Sequence, residues 1–180
     1  VPEGYMLHNQ AWIQGFESPT DIENHVLELI GPDEANNFWE LYRANYVAQA
    51  DIDKIAEWGF NHLRVPFHYK QFYDSTGTET PIGYAIIDEL ITWCQPHNIY
   101  IILYMHCAPG AQNGGPISDS DGIARLWLED SYKELTIQIW KEIATYYADH
   151  TLIAGYDLIN EPVLPSGVSL EEFKQLYVDI

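Results

Sequence analysis

Asn160, Glu161 and Pro162 close the stretch GYDLINEPV, an apolar, strand-like run that ends abruptly on an amide, a carboxylate and a ring. A carboxylic acid at such a tip can protonate a leaving oxygen if apolar surroundings disfavour its charged form. The same residue can equally be a solvated glutamate at a strand end. Asn160 can hydrogen-bond a sugar hydroxyl or cap a loop. Pro162 biases the residue before it toward the extended region, so Glu161 is expected to be extended and aimed outward.

Arg64, in HLRVP, lies within a strand-like segment, where a permanent cation is expensive unless paired. It is therefore expected to face a carboxylate, either orienting a catalytic group and keeping it ionised or forming a structural ion pair. His106 ends the most apolar run of the chain, YIILYMH, and can bind substrate, join a proton network or be a satisfied structural group. His62, His68 and His106 with Glu161 form a conceivable metal set, but no HxH or HExxH spacing supports it. Asp119 to Gly122, DSDG, shares a fragment with calcium loops yet lacks their later glutamate, and reads as a solvated loop. Cys94 and Cys107 are too few for a disulfide framework and read as two buried thiols. No metal or other cofactor is expected.

These residues need a scaffold that brings segments far apart in sequence to one place. Ser18 as N-cap, Pro19 at the first helical position, Asp21 three residues past the cap and Gly31 as a stop predict a short helix. PDEANNFWELYRANY and QADIDKIAEWGF predict two more, the second ending at Gly59. NHLRVP switches to period two, a brief strand that Pro66 is expected to terminate. A polar loop, YDSTGTETPIG, leads to a helix from about Tyr84 to Gln95. The run NIYIILYMH then fits a strand covered on both faces, as in parallel sheets. After the turn-rich loop CAPGAQNGGPISDSDG come a helix from about Asp130 to Asp149, the strand LIAGYDLIN, and a helix opened by the capping pair Ser169 and Glu172. Strands alternating with helices, with long loops after the strands, are the pattern of a βα-repeat protein. Chemistry in such folds gathers at the C-terminal strand ends, which would put Arg64, His106, Asn160 and Glu161 on one rim.

Composition narrows the partners. Across 180 residues, 8 Lys and Arg stand against 27 Asp and Glu, a formal charge of -19, so nucleic acid and anionic membrane surfaces are repelled. The longest apolar run falls far short of the roughly 20 residues that span a bilayer. The start VPEGYMLHNQ shows no basic segment followed by an apolar one, the signature of a secretion signal. The 13 Tyr and 6 Trp suit a large core and also surfaces that stack on sugar rings.

Taken together, GFNHLRVPFHY, YMHCAPGAQNG and GYDLINEPV, in this order and at these separations, resemble glycoside hydrolase family 5, the cellulase family of retaining β-glycanases. VPEGYM and FESPTDIE resemble its bacterial β-glucanase branch, so the resemblance covers nearly the whole chain. It implies a (β/α)8 TIM barrel present in part, about strands two to four with their helices, with 1–180 as a portion of one catalytic domain. By the same resemblance Glu161 matches the general acid/base at the end of the fourth barrel strand, and Asn160 its partner on the sugar 2-hydroxyl. Arg64 matches the second-strand arginine that supports the nucleophile, and His106 the third-strand histidine of the substrate site.

Retaining hydrolysis uses two carboxyl groups about 5 to 5.5 Å apart. The family's nucleophile is a glutamate of the seventh strand, to which no position here matches, and its first strand is absent too. The chain is thus expected to be part of a longer enzyme, inactive without the remaining half of the barrel. Tyr104 departs from the family, whose members usually have Asp two residues before the histidine. The activity implied is endo-β-1,4-glucanase, acting without a cofactor on β-glucan polysaccharide or oligosaccharide, in an extracellular or periplasmic setting. Two other readings are a non-catalytic glucan-binding scaffold lacking the nucleophile and metal-assisted hydrolysis on the same fold.

Overall fold

A computed structural model describes residues 17–74 and 77–180. The stretch VPEGYM lies outside them. The chain divides into two compact units, one ending at Phe60 and one running from Asn61 to Ile180.

The described part of the first unit is helical. Helix α1 (Pro19–Ile30) starts as its sequence requires: the Ser18 hydroxyl accepts the Asp21 N–H at 3.2 Å, and Pro19 has no N–H to leave unpaired. Gly31, at φ +81°, turns the chain into α2 (Pro32–Tyr46). Helix α3 (Gln49–Glu57) lacks a side-chain N-cap, but the Asp51 carboxylate accepts the Ala48 N–H at 2.8 Å.

The second unit alternates β1 (His62–His68), α4 (Ile82–Cys94), β2 (Tyr100–Cys107), α5 (Asp130–Tyr146), β3 (Ile153–Asp157) and α6 (Leu170–Asp179). The strands form one parallel sheet in the order β1-β2-β3, as an incomplete barrel requires. β2 lies between the other two, which explains its unbroken apolar run: Ile101, Leu103 and Met105 have no exposed surface. Trp140 of α5 covers the sheet, its ring 5.3 Å from Phe67 and 5.5 Å from Tyr156, while its Nε1–H donates to the Leu158 carbonyl at 2.9 Å. Burying one such large side chain stabilises by roughly 1.5–3 kcal/mol. Gly83 lets α4 approach closely, since a Cβ there would stand 2.5 Å from the Phe72 ring.

Several boundaries differ from the sequence expectation. β1 continues through Pro66 to His68, because among the described residues β1 pairs only with β2 and a proline there need not break the ladder. β3 stops at Asp157 rather than Asn160, since the following backbone finds other partners: Leu158 takes the Trp140 N–H, and the Asn160 N–H reaches the Met105 carbonyl at 3.0 Å. Helices α4 and α5 shift by two or three residues from their expected ends. The sheet also carries two irregularities that no local pattern announces. The register skips His106 opposite the Phe67–His68 step and Ala154 opposite the Ile101–Ile102 step. Among the described residues no helix is long and apolar enough to cross a membrane.

Candidate active site

Arg64 sits midway along β1, level with Ile102 of β2, and its length carries the guanidinium toward the tip of β3. Nε and one terminal nitrogen donate to the same Asp157 oxygen, at 2.9 and 2.7 Å, and that terminal nitrogen also donates to Asn160 Oδ1 at 3.1 Å. The carboxylate that faces Arg64, as its place in a strand led one to expect, is Asp157 at the end of β3, across β2 from it. The pair is half-exposed, with side chains 46% and 40% accessible, so its cost of desolvation is small.

Tyr104 lies under Arg64: the guanidinium carbon is 3.4 Å from the ring centroid. The other edge of Tyr104 meets the buried His106, with ring centroids 5.5 Å apart. Arg64, Tyr104, His106, Asp157 and Asn160 thus form one contiguous patch at the strand ends. His106 is the residue skipped by the β1–β2 register, so a local irregularity of β2 sets its position.

Glu161 follows Asn160 directly, but its backbone is not extended. It adopts φ +45°, a left-handed conformation rare for any residue other than glycine, with Pro162 behind it. Its side chain is exposed, so the apolar enclosure expected at the strand tip is not supplied by the described residues. No hydrogen bond or ion pair occupies the Glu161 carboxylate among the described residues, and none joins it to Arg64 or His106.

Two residues in the loop after β2, unremarked in the sequence, hold this tip. Gln112 is completely buried and donates from Nε2 to the His106 carbonyl at 2.6 Å and the Asn160 carbonyl at 2.8 Å. Its Oε1 accepts the Ala108 N–H at 3.0 Å, and its carbonyl accepts from Val163 N–H at 3.1 Å and Trp127 Nε1–H at 2.8 Å. Asn113 donates from Nδ2 to the carbonyl of Glu161 at 2.9 Å. A Gln-Asn pair in a glycine-bearing loop suits side-chain to backbone bonding, but the partners lie 48 residues on and leave no local signal.

DSDG is not a solvated loop throughout. The Asp119 side chain is only 6% exposed and meets His68 Nε2 at 2.9 Å and Lys70 Nζ at 2.8 Å, because the loop folds back over the end of β1. Burial would raise the pKa of the Asp119 carboxyl, but His68 and Lys70 outweigh it and hold the carboxyl well below the usual range. Burial lowers the pKa of His68, with Asp119 opposing. The Lys70 N–H donates to His68 Nδ1 at 3.1 Å, which assigns the proton of the neutral ring to Nε2.

The metal set does not assemble. His62 is at the N-terminal end of β1 and His68 at its C-terminal end, six residues or about 20 Å apart along an extended strand. Among the described residues no group of three or more His, Cys, Asp or Glu is placed to hold a metal. Cys94 and Cys107 are buried and not joined in a disulfide, and burial pushes Cys94 up to about 11. An open groove of about 740 Å³ between α4 and α5, lined by Tyr84, Glu134, Gln138 and Glu142 among others, contains none of the rim residues.

A model of the family described as Cellulase (glycosyl hydrolase family 5) matches residues 20–178. The chain is 33% identical to a β-xylosidase of Phanerodontia chrysosporium over 90% of its own length and 35% of that protein's. It is 27% identical to a probable glucan 1,3-β-glucosidase A of Aspergillus niger, over 84% of this chain and 36% of the relative. It therefore spans about a third of the length of the curated relatives it matches. Among solved structures, a rutinosidase from Aspergillus niger superposes with a TM-score of 0.71 at 22% identity, over 83% of this chain and 42% of the other. That likeness agrees with the parallel βα order, and the fold is an incomplete (β/α)8 barrel.

Proposed function

Because this chain belongs to glycosyl hydrolase family 5, we propose that the complete enzyme hydrolyses β-glycosidic bonds in β-glucans with retention of configuration, with Glu161 as its general acid/base. The observation that carries this reading is the strand tip itself, where Asn160 is tied to Arg64 at 3.1 Å and an unoccupied Glu161 carboxylate follows it into solvent. Glu161 would protonate the departing glycosidic oxygen and then take a proton from the attacking water. Asn160, its side-chain oxygen held by Arg64, keeps its amide hydrogens for the sugar 2-hydroxyl. His106 lines the substrate position beside Tyr104. The nucleophilic carboxylate would come from the remaining half of the barrel, which this reading requires. Residues 1–180 are then part of a single catalytic domain that is inactive alone and needs no cofactor.

The preferred substrate is a β-1,4-glucan cleaved internally, in keeping with the cellulase character of the family. A second reading, removal of terminal sugars from β-1,3-linked glucan, is favoured by the name of the Aspergillus relative. A polymer cannot enter a cell intact, so the enzyme is placed in the extracellular or periplasmic space.

Glu161→Gln in the complete enzyme tests the assignment. Hydrolysis of an unactivated glucan is expected to fall by a factor on the order of 100 to 10,000, the usual contribution of acid–base catalysis. Near-normal turnover would sink the role. Products from soluble β-1,4- and β-1,3-glucan, mixed oligosaccharides against glucose alone, separate the two specificities.

A further inference from the structure

We infer that Asn113 is a positioning residue for the acid/base, acting by holding the backbone of Glu161 in its left-handed conformation through the Nδ2 bond to the Glu161 carbonyl. The inference rests on the reading of Glu161 as acid/base.

A non-glycine residue at φ +45° persists only where its surroundings over-determine it. Here the surroundings do so from three points. Gln112 binds the carbonyl of the residue before Glu161 and accepts the N–H of Val163, two residues after it. Asn113 binds the carbonyl of Glu161 itself at 2.9 Å. Pro162 adds a restriction of its own by disfavouring the right-handed helical alternative.

Asn113 is in turn held on its other side. Its Oδ1 accepts the Gly115 N–H at 2.8 Å, and the buried Ser118 hydroxyl lies 3.0 Å from that oxygen and 2.8 Å from the Asn113 carbonyl. The side chain is buried, so its one bond toward Glu161 is made in a rigid frame and not in competition with water. The direction in which the exposed Glu161 carboxylate leaves the backbone is set by φ and ψ at that residue. Releasing the carbonyl allows Glu161 to relax toward an extended backbone and swings its carboxylate off the line to the leaving oxygen.

The experiment uses the complete enzyme and two substrates with the same sugar, an unactivated β-gluco-oligosaccharide and a dinitrophenyl β-glycoside. The second leaves as a stable anion and needs no proton, so kcat/KM for the pair isolates the acid step. Asn113→Asp keeps the acceptor used by Gly115 and Ser118 and removes only the donor to Glu161, whereas Asn113→Ala removes both functions without adding charge. For both variants kcat/KM on the oligosaccharide is expected to fall on the order of 10- to 100-fold, the scale of a misplaced catalytic group, with a severalfold smaller loss on the dinitrophenyl substrate. An equal loss on the two substrates, or none, overturns the positioning role. Glu161→Gln measured alongside separates the premises. If it shows no dependence on leaving group, the acid/base reading itself falls; if it does and the Asn113 variants do not, only the positioning role falls.

Discussion

The guanidinium of Arg64 lies face-on to the ring of Tyr104, 3.4 Å from its centroid, while its nitrogens reach Asp157 and Asn160. Tyr104 takes up the arginine through its ring face, beside the ion pair with Asp157. Arg64 and Tyr104 should therefore be energetically coupled. A double-mutant cycle with Arg64→Gln and Tyr104→Leu is expected to give a coupling of about 1 kcal/mol in denaturant unfolding of the complete enzyme. A coupling indistinguishable from zero would show the stacking to be incidental.

Arg64→Lys keeps the charge and loses the fork that grips Asp157 and Asn160 together. The Arg64–Asp157 pair is half-exposed, so stability should change by less than about 1 kcal/mol. Asn160 loses its anchor, and kcat/KM is expected to fall on the order of tenfold through misorientation at the sugar. Unfolding midpoints and steady-state kinetics on one preparation check both halves. A large loss of stability with normal turnover would make the pair structural only.

The buried His68–Asp119–Lys70 group predicts a pH dependence of stability. His68 is held below the usual histidine range, so as pH falls through about 6.5 the unfolded chain takes up a proton that the folded chain refuses. Stability therefore drops with falling pH until the folded His68 is itself protonated. Asp119, also held low, adds stability that is present above the ordinary carboxyl range and is lost only as pH falls through its depressed folded value. Between pH 7.5 and 5 the slope belongs to His68, so His68→Gln should flatten the plot of unfolding midpoint against pH there. An unchanged slope would assign the dependence to other groups.

Much of the architecture was legible along the chain because it is governed by neighbours a few residues apart. Ser18 with Asp21 and Ser169 with Glu172 cap their helices through bonds three residues long. The apolar run of β2 follows from enclosure by its two neighbours, and the amide–carboxylate pair at the tip of β3 stood out by residue type alone. Local rules failed where a distant group competed. Pro66 looked like a strand end, and among the described residues the ladder with β2 passes through it. Pro162 suggested an extended Glu161, and the amides of Gln112 and Asn113 turned that residue left-handed instead.

Residue types and order were enough to single out Arg64, His106, Asn160 and Glu161 as candidates and to give the parallel βα order, since helix caps, strand periodicity and the need of a strand-borne cation for a partner are short-range demands. Tertiary structure alone decided who those partners are. Asp157 is 93 residues from Arg64, Asp119 is 51 from His68, and Asn113 is 48 from Glu161. Each pair is settled by which strand ends and loops the sheet brings within about 3 Å of one another, the reach of a hydrogen bond.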